Sequence, residues 1–208
     1  MTAAPPMVFV VDDDPSVRKS LTRLIRSAGH AFEAFASARE FLARERHPGP
    51  CCLVLDVRMP GLSGLDLQEA LAGAGRRMSI VFVTGHGDVP MSVKAMKGGA
   101  VDFLTKPVDD KDLLAAIERC VARDMHDRGA EARITEIQER VQMLTPRETE
   151  VFALVVTGML NKQIAFELRI SEKTVKVHRA RVMEKMRAGS VAELVRLADR
   201  VGVIVPKS

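Results

Sequence analysis

The sequence predicts a doubly wound α/β unit with a five-stranded parallel sheet, followed by a helical linker and an all-α unit of four short helices. Three observations predict it. Short apolar runs alternate with amphipathic stretches up to Arg123, a proline-free stretch follows from His126 to Leu144, and two capping boxes frame what comes after. The composition permits buried cores. Of 208 residues, 47% are apolar, 28% charged and 4% aromatic, and the charge is too balanced for a disordered tail.

The apolar runs are Met7–Val11, Ala31–Phe35, Cys52–Leu55, Ile80–Val83 and Val101–Leu104. Each has strand length and is mostly β-branched or aromatic. Val17, Leu21, Leu24 and Ile25 fall on one helical stripe between the first two, and Gly29 closes that helix. Further helices are expected at Ala38–Arg44, Gly64–Ala72, Pro90–Lys97 and Lys111–Arg123. Strands alternating with helices make a parallel sheet covered on both faces, whose functional crevice lies beyond the carboxyl ends of the strands.

His126–Leu144 reads as a helix in which Ile134, Ile137, Val141 and Leu144 repeat at helical spacing. That stripe suits either a coiled-coil-like seam or packing on its own domain. Thr145-Pro146-Arg147-Glu148 and Ser190-Val191-Ala192-Glu193 are capping boxes. Between them, Asn161–Leu168 and Glu172–Met186 are helical and are split by Arg169-Ile170-Ser171, a helix-turn-helix pattern. The expected division is 1–125, a linker at 126–141, and 142–208.

No apolar run reaches the roughly 18 residues of a membrane span. Met1-Thr2-Ala3-Ala4-Pro5-Pro6 lacks a basic stretch followed by an apolar core, so no secretory signal is expected. Three cysteines, with Cys51 and Cys52 adjacent, make no disulfide framework, and no Cys/His group has zinc spacing. These features point to a soluble protein of a reducing compartment, without a membrane partner.

The net charge of +4 is unevenly placed. Up to Asp124 there are 16 basic and 16 acidic residues, whereas from Gln142 onward there are 12 basic and 7 acidic. A basic excess on the small helical unit suits a polyanion. On a helical wheel, Val175, His178 and Val182 of Glu172–Met186 share one side. Lys173, Lys176, Val177 and Ala180 face the other way, flanked by Arg179 and Arg181. Lysines there can donate to guanine edges, Val177 can touch thymine methyls, and the flanking arginines suit phosphates. A solvated basic helix is the plainer alternative, and His178 reads as a packed or capping histidine.

Asp12-Asp13-Asp14 follows the first strand, Asp56 the third, Thr84 the fourth, and Lys106-Pro107 the fifth. Singly, these read as a helix cap, a turn residue and a surface lysine. Together they gather carboxylates, a hydroxyl and an ammonium at one sheet edge. Crowded carboxylates call for a hard divalent cation, Mg²⁺, and a carboxylate so neutralised can attack a phosphoryl group.

Val10-Val11-Asp12-Asp13-Asp14, Leu55-Asp56-Val57-Arg58-Met59-Pro60-Gly61, Val83-Thr84-Gly85-His86 and Phe103-Leu104-Thr105-Lys106-Pro107 resemble a two-component receiver domain of flavodoxin/CheY-like fold. That resemblance implies Asp56 as phosphoacceptor. It implies Mg²⁺ on Asp13, Asp56 and the Arg58 backbone carbonyl, with Asp12 reaching it through water. Thr84 and Lys106 would hold phosphoryl oxygens, and Thr84 with Phe103 would form the switch pair, although Phe103 also suits plain core packing. His86 reads as a surface histidine near this edge. A haloacid-dehalogenase-type enzyme also uses an aspartyl nucleophile beside Mg²⁺, but it needs a second acid where Arg58 stands, so no enzyme is expected.

Leu144-Thr145-Pro146-Arg147-Glu148, Gly158–Ala165 and Ser171–His178 are similar to LuxR/NarL-type output domains. By that resemblance Lys176 and Val177 contact bases, Lys162 and Thr174 phosphates, and Ala180 departs from the polar or basic residue often found there. Gly85-His86-Gly87-Asp88-Val89-Pro90 and Ala95-Met96-Lys97 look most like the FixJ/StyR branch. The expected protein is a cytoplasmic DNA-binding transcriptional regulator. Its partners would be a sensor histidine kinase, double-stranded promoter DNA and a second copy of itself on phosphorylation, with RNA polymerase a further candidate. Two other readings stand beside it. One is a constitutive DNA-binding regulator whose receiver is a phosphorylation-independent dimerisation module. The other is a receiver acting by protein contact, with a helical unit that binds RNA or protein.

Overall fold

A computed structural model of the chain describes residues 4–76, 78–85 and 88–202. It divides into two compact units, Met1–Arg128 and Gly129–Ser208.

The first unit is a sheet of β1 (Met7–Val11), β2 (Ala31–Phe35), β3 (Cys51–Leu55), β4 (Ile80–Thr84) and β5 (Asp102–Thr105). All strand pairs are parallel, in the order β2-β1-β3-β4-β5. The connecting helices are α1 (Pro15–Ser27), α2 (Ala38–Ala43), α3 (Gly64–Gly73), α4 (Val89–Lys97) and the start of α5 (Asp110–Gln142). Strand alternation sorts the apolar residues onto two faces. Phe9, Leu53, Leu55 and Phe82 pack with Phe41 of α2, Leu67 and Leu71 of α3 and Ala95 of α4. Val8, Val10, Cys52, Val54, Val81 and Val83 pack with Leu21 and Ile25 of α1 and Leu113, Ile117 and Cys120 of α5. Central β3 and β4 are buried throughout, which explains their unbroken apolar runs, whereas β2 is an edge strand exposed on much of its length. The five strands were legible to within a residue, with Thr84 closing β4 rather than following it. Cys51, Cys52 and Cys120 are all free and buried.

Two expectations about α5 need restating. The helices at Lys111–Arg123 and His126–Leu144 are one continuous helix, Asp110–Gln142. No proline interrupts it, and a lone Gly129 costs only about 1 kcal/mol, too little to stop it. The stripe of Ile137, Val141 and Leu144 packs into the second unit's own core, while Ile134 remains 37% exposed. Of the two readings of that stripe, the structure has the domain-packing one.

The second unit comprises α6 (Pro146–Val156), α7 (Asn161–Leu168), α8 (Glu172–Met186) and α9 (Val191–Arg200), with the last part of α5. Their core holds Val151, Phe152, Ile164, Val175, Val182, Met186 and Leu194. The Thr145 box is complete: the Glu148 N–H donates to Thr145 Oγ1, and the Thr145 N–H donates to the Glu148 carboxylate. At the other box Ser190 caps Glu193, but the Glu193 carboxylate accepts from the Gly189 N–H (2.9 Å), one residue further back than expected. The turn between α7 and α8 closes because Arg169 adopts a left-handed conformation, φ 54°. Among the described residues no helix is long and apolar enough to cross a membrane.

Candidate functional site

The carboxyl ends of β1, β3, β4 and β5 lie side by side, so the residues that end or follow them converge. The Asp56 N–H donates to Val11 O (2.9 Å) and the Lys106 N–H to Thr84 O (2.8 Å), which carries the strand ladder to the edge. Asp12, Asp56 and Thr84 are buried there, and Asp13 is exposed. Asp14 stands apart from them. Its carboxylate caps α1, accepting from Ser16 N (2.8 Å) and Val17 N (3.4 Å).

Lys106 Nζ donates to Asp12 Oδ2 at 2.6 Å and lies 3.4 Å from Asp56 Oδ1. The second Asp12 oxygen accepts from the Asp14 N–H (2.9 Å). Asp12 is therefore oriented by two partners, and the Lys106 ammonium reaches from it toward Asp56. Burial pushes the Asp56 carboxyl up and neighbouring Asp12 adds to it, with the Lys106 charge opposing. Burial pulls the Lys106 ammonium down, but the hydrogen bond and charge of Asp12, then Asp56, raise it above its ordinary value.

One oxygen each from Asp12, Asp13 and Asp56 lies within 4.8 Å of the others. Two buried carboxylates share one lysine, so this edge is short of positive charge, and an all-oxygen donor set of this kind fits Mg²⁺. Arg58 is exposed on the loop after β3. Phe103 is half-buried, its ring 6.1 Å from that of Phe82. His86 lies outside the described residues.

The loop beneath Asp56 is tightly set. The Gly64 N–H, at the start of α3, donates to Val57 O (2.9 Å), and a Cβ on Gly64 would lie 2.2 Å from the Asp56 carbonyl oxygen. Backbone cannot yield as a side-chain tip can. Gly64→Ala should destabilise the first unit by about 1–3 kcal/mol, read as a lower urea midpoint for amide exchange of β3. An unchanged midpoint would mean that the loop accommodates the methyl.

On the second unit, Val175 and Val182 are fully buried and His178 is half-buried. Lys173, Lys176, Ala180 and Arg181 are exposed, and Val177 is 45% exposed. Lys162 is exposed at the start of α7, and Thr174 is half-buried beside Ser171 Oγ (2.8 Å). Arg179, expected on an open flank, is half-buried and donates to Asn161 Oδ1 (3.0 Å). That bond links α7 to α8. It escaped the helical wheel because a wheel describes one helix, not its neighbour.

Residues 8–118 match the family described as "Response regulator receiver domain", and residues 142–198 match "Bacterial regulatory proteins, luxR family". The chain is a response regulator with a LuxR-family output domain. Nodulation protein W of Bradyrhizobium diazoefficiens is 51% identical over 95% of this response regulator and 87% of its own length. Transcriptional regulatory protein FixJ of Azorhizobium caulinodans is 45% identical over 94% and 93% of the two chains. The solved structure of response regulator StyR superposes with TM-score 0.84 at 48% identity, covering 95% of this response regulator and all of that chain. The regulator therefore belongs to a two-component system and to a family of transcriptional, non-enzymatic proteins, with the FixJ/StyR type among its relatives.

Proposed function

We propose that this response regulator is phosphorylated on Asp56 by a partner histidine kinase, and that phosphorylation favours dimers and promoter binding. The convergence of Asp12, Asp13 and Asp56 with Lys106 at one sheet edge carries this reading. Asp56 would be the nucleophile because its carboxylate is buried beside Asp12 and Lys106, whereas that of Asp14 is exposed and held as the cap of α1. Asp13, Asp56 and the Arg58 carbonyl would hold Mg²⁺, with Asp12 acting through water. When bound, the ion supplies charge neutralisation between carboxylate and phosphoryl group. Lys106 would turn its ammonium from Asp12 to a phosphoryl oxygen and Thr84 would donate to another, with Phe103 turning inward. Val93, Lys94 and Lys97 of α4 and Asp102 of β5 would form the surface that changes.

In the output domain, Lys176 and Val177 would read bases. Lys162, Lys173, Thr174, Arg179 and Arg181 would position the helix on phosphates. Two such helices in a dimer would meet half-sites about 34–36 Å apart. The functional division is 1–125 receiver, 126–141 linker and 142–208 output. The protein would act in the cytoplasm with its kinase, its promoter and RNA polymerase.

Sedimentation with Mg²⁺, before and after beryllofluoride as an acyl-phosphate mimic, tests the switch. Wild type should pass from monomer to dimer and Asp56→Asn should not; equal behaviour of the two would reject Asp56 as the trigger. In promoter titrations Lys176→Ala should cost about 1–3 kcal/mol on the operator and little on unrelated DNA. Equal losses on both would make Lys176 a phosphate contact.

A further inference from the structure

Taking the second unit to bind promoter DNA as proposed above, we infer that Arg179 and Asn161 form one phosphate clamp: Arg179 of α8 orients the Asn161 amide of α7, and both grip one phosphate of the DNA backbone. Among the described residues of that unit, four basic side chains are half-buried, Arg140, Arg147, Arg179 and Lys185. Three of them are neutralised within the unit, Arg140 by Glu136, Arg147 by Glu150 and Lys185 by Glu148. Arg179 is the exception. Among the described residues it forms no ion pair, and its bonded partner is a neutral amide, with Nη1 donating to Asn161 Oδ1 at 3.0 Å. A guanidinium drawn partly out of water without a carboxylate keeps its full charge for an anion from outside.

The same bond fixes what Asn161 can do. A guanidinium carries donors only, so it takes the amide oxygen and turns the amide NH2 the other way. That NH2 has no hydrogen-bond partner among the described residues and is not buried. With its oxygen taken, Asn161 cannot make the paired donor and acceptor contact by which an asparagine reads adenine. What it still offers is donors, and these suit a phosphate oxygen. Its surroundings agree. Asn161 opens α7 with exposed Lys162 beside it, and exposed Lys176 lies one turn before Arg179 on α8. A phosphate has two free oxygens, so one can accept from the Asn161 NH2 and the other from the guanidinium. Each residue then holds the other at its oxygen, and neither contact forms fully alone.

The test is fluorescence anisotropy of the full chain, with Mg²⁺ and beryllofluoride, on a labelled duplex that the wild-type protein selects from a random pool, titrated at several KCl concentrations. Arg179→Gln and Asn161→Ala should each weaken binding about ten-fold, and the double variant should fall no more than about two-fold below the worse of them. Two separate contacts would instead multiply to about a hundred-fold. Asn161→Ala removes no charge. It should nevertheless flatten the slope of log affinity against log salt by about 0.9, as Arg179→Gln does, because the guanidinium is no longer held at its phosphate. Asn161→Asp keeps the link between α7 and α8 and turns it into an ion pair. Amide exchange in both helices should then be no faster than in wild type, while DNA binding falls at least about ten-fold. A bond that only braces the two helices would let Asn161→Asp bind like wild type. That result, multiplied losses in the double variant, or an unchanged salt slope in Asn161→Ala would each overturn the clamp and leave a DNA-binding output domain in place. A wild type that selects no duplex would remove the DNA-binding reading and the clamp with it.

Discussion

An Asp56→Asn chain incubated with acetyl phosphate and Mg²⁺ should acquire no phosphoryl group, whereas wild type should acquire one that hydroxylamine removes. The effect should be complete, because an amide has no anionic oxygen to attack phosphorus. Folding should survive. Asparagine nearly matches aspartate in shape, and Lys106 keeps its 2.6 Å bond to Asp12. Persistence of the label would transfer the phosphoacceptor to another carboxylate, with Asp13 the first to examine since it shares the cluster. Asp13→Asn is the companion experiment. It keeps the nucleophile while removing one oxygen from the Mg²⁺ set, so it should slow labelling and raise the Mg²⁺ concentration needed.

Glu148→Ala should destabilise the output domain by about 2–4 kcal/mol, because it removes a helix cap and breaks a buried ion pair at once. The Glu148 carboxylate accepts from Lys185 Nζ (2.6 Å) and the Thr145 N–H (2.9 Å) and is 2% exposed. The hydrogen bond from Lys185, then that from the Thr145 backbone, draws its pKa from an ordinary 4.5 down to about 2. A depressed pKa stabilises the folded state above the unfolded value. The contribution is present above about pH 4.5 and is lost as pH falls toward 2. Glu148→Gln keeps the shape and should lack that acid step. The chain has no Trp or Tyr, so amide exchange in α6 and α8 against pH and urea is the suitable readout. An acid profile shared by wild type and Glu148→Gln would remove the carboxylate from the account.

What the sequence disclosed depended on how far its signals reach. Met7–Val11 and Asn161–Leu168 were legible to the residue, since strand runs and caps are local patterns. The sheet-edge set was legible although Asp13, Asp56, Thr84 and Lys106 are far apart in sequence, because a parallel sheet delivers every strand's carboxyl end to one side. Asp124 was not. It lies in an ordinary charged stretch of α5, yet it is 5% exposed and accepts from the Cys51 N–H (2.9 Å), a partner 73 positions away. The Ile134 stripe fixed the helix but not what it would face, and only the second unit's core decided between its two readings.

The bond from Arg179 to Asn161 has a consequence for how output is controlled. With that link, a closed turn at Arg169, and Val175 and Val182 fully buried, α7 and α8 are set at a fixed angle before any DNA arrives. The reading helix need not order itself on contact, so a change in state has little local folding to gate. What would remain adjustable, under the proposed dimerisation, is local concentration. One preformed reader held near a half-site is a weak visitor; a second, tethered to the first, rebinds before both can leave, and the joint residence time grows without any new contact. Under the proposed dimerisation, a regulator built this way would set occupancy by how many copies arrive together, not by how well each one fits.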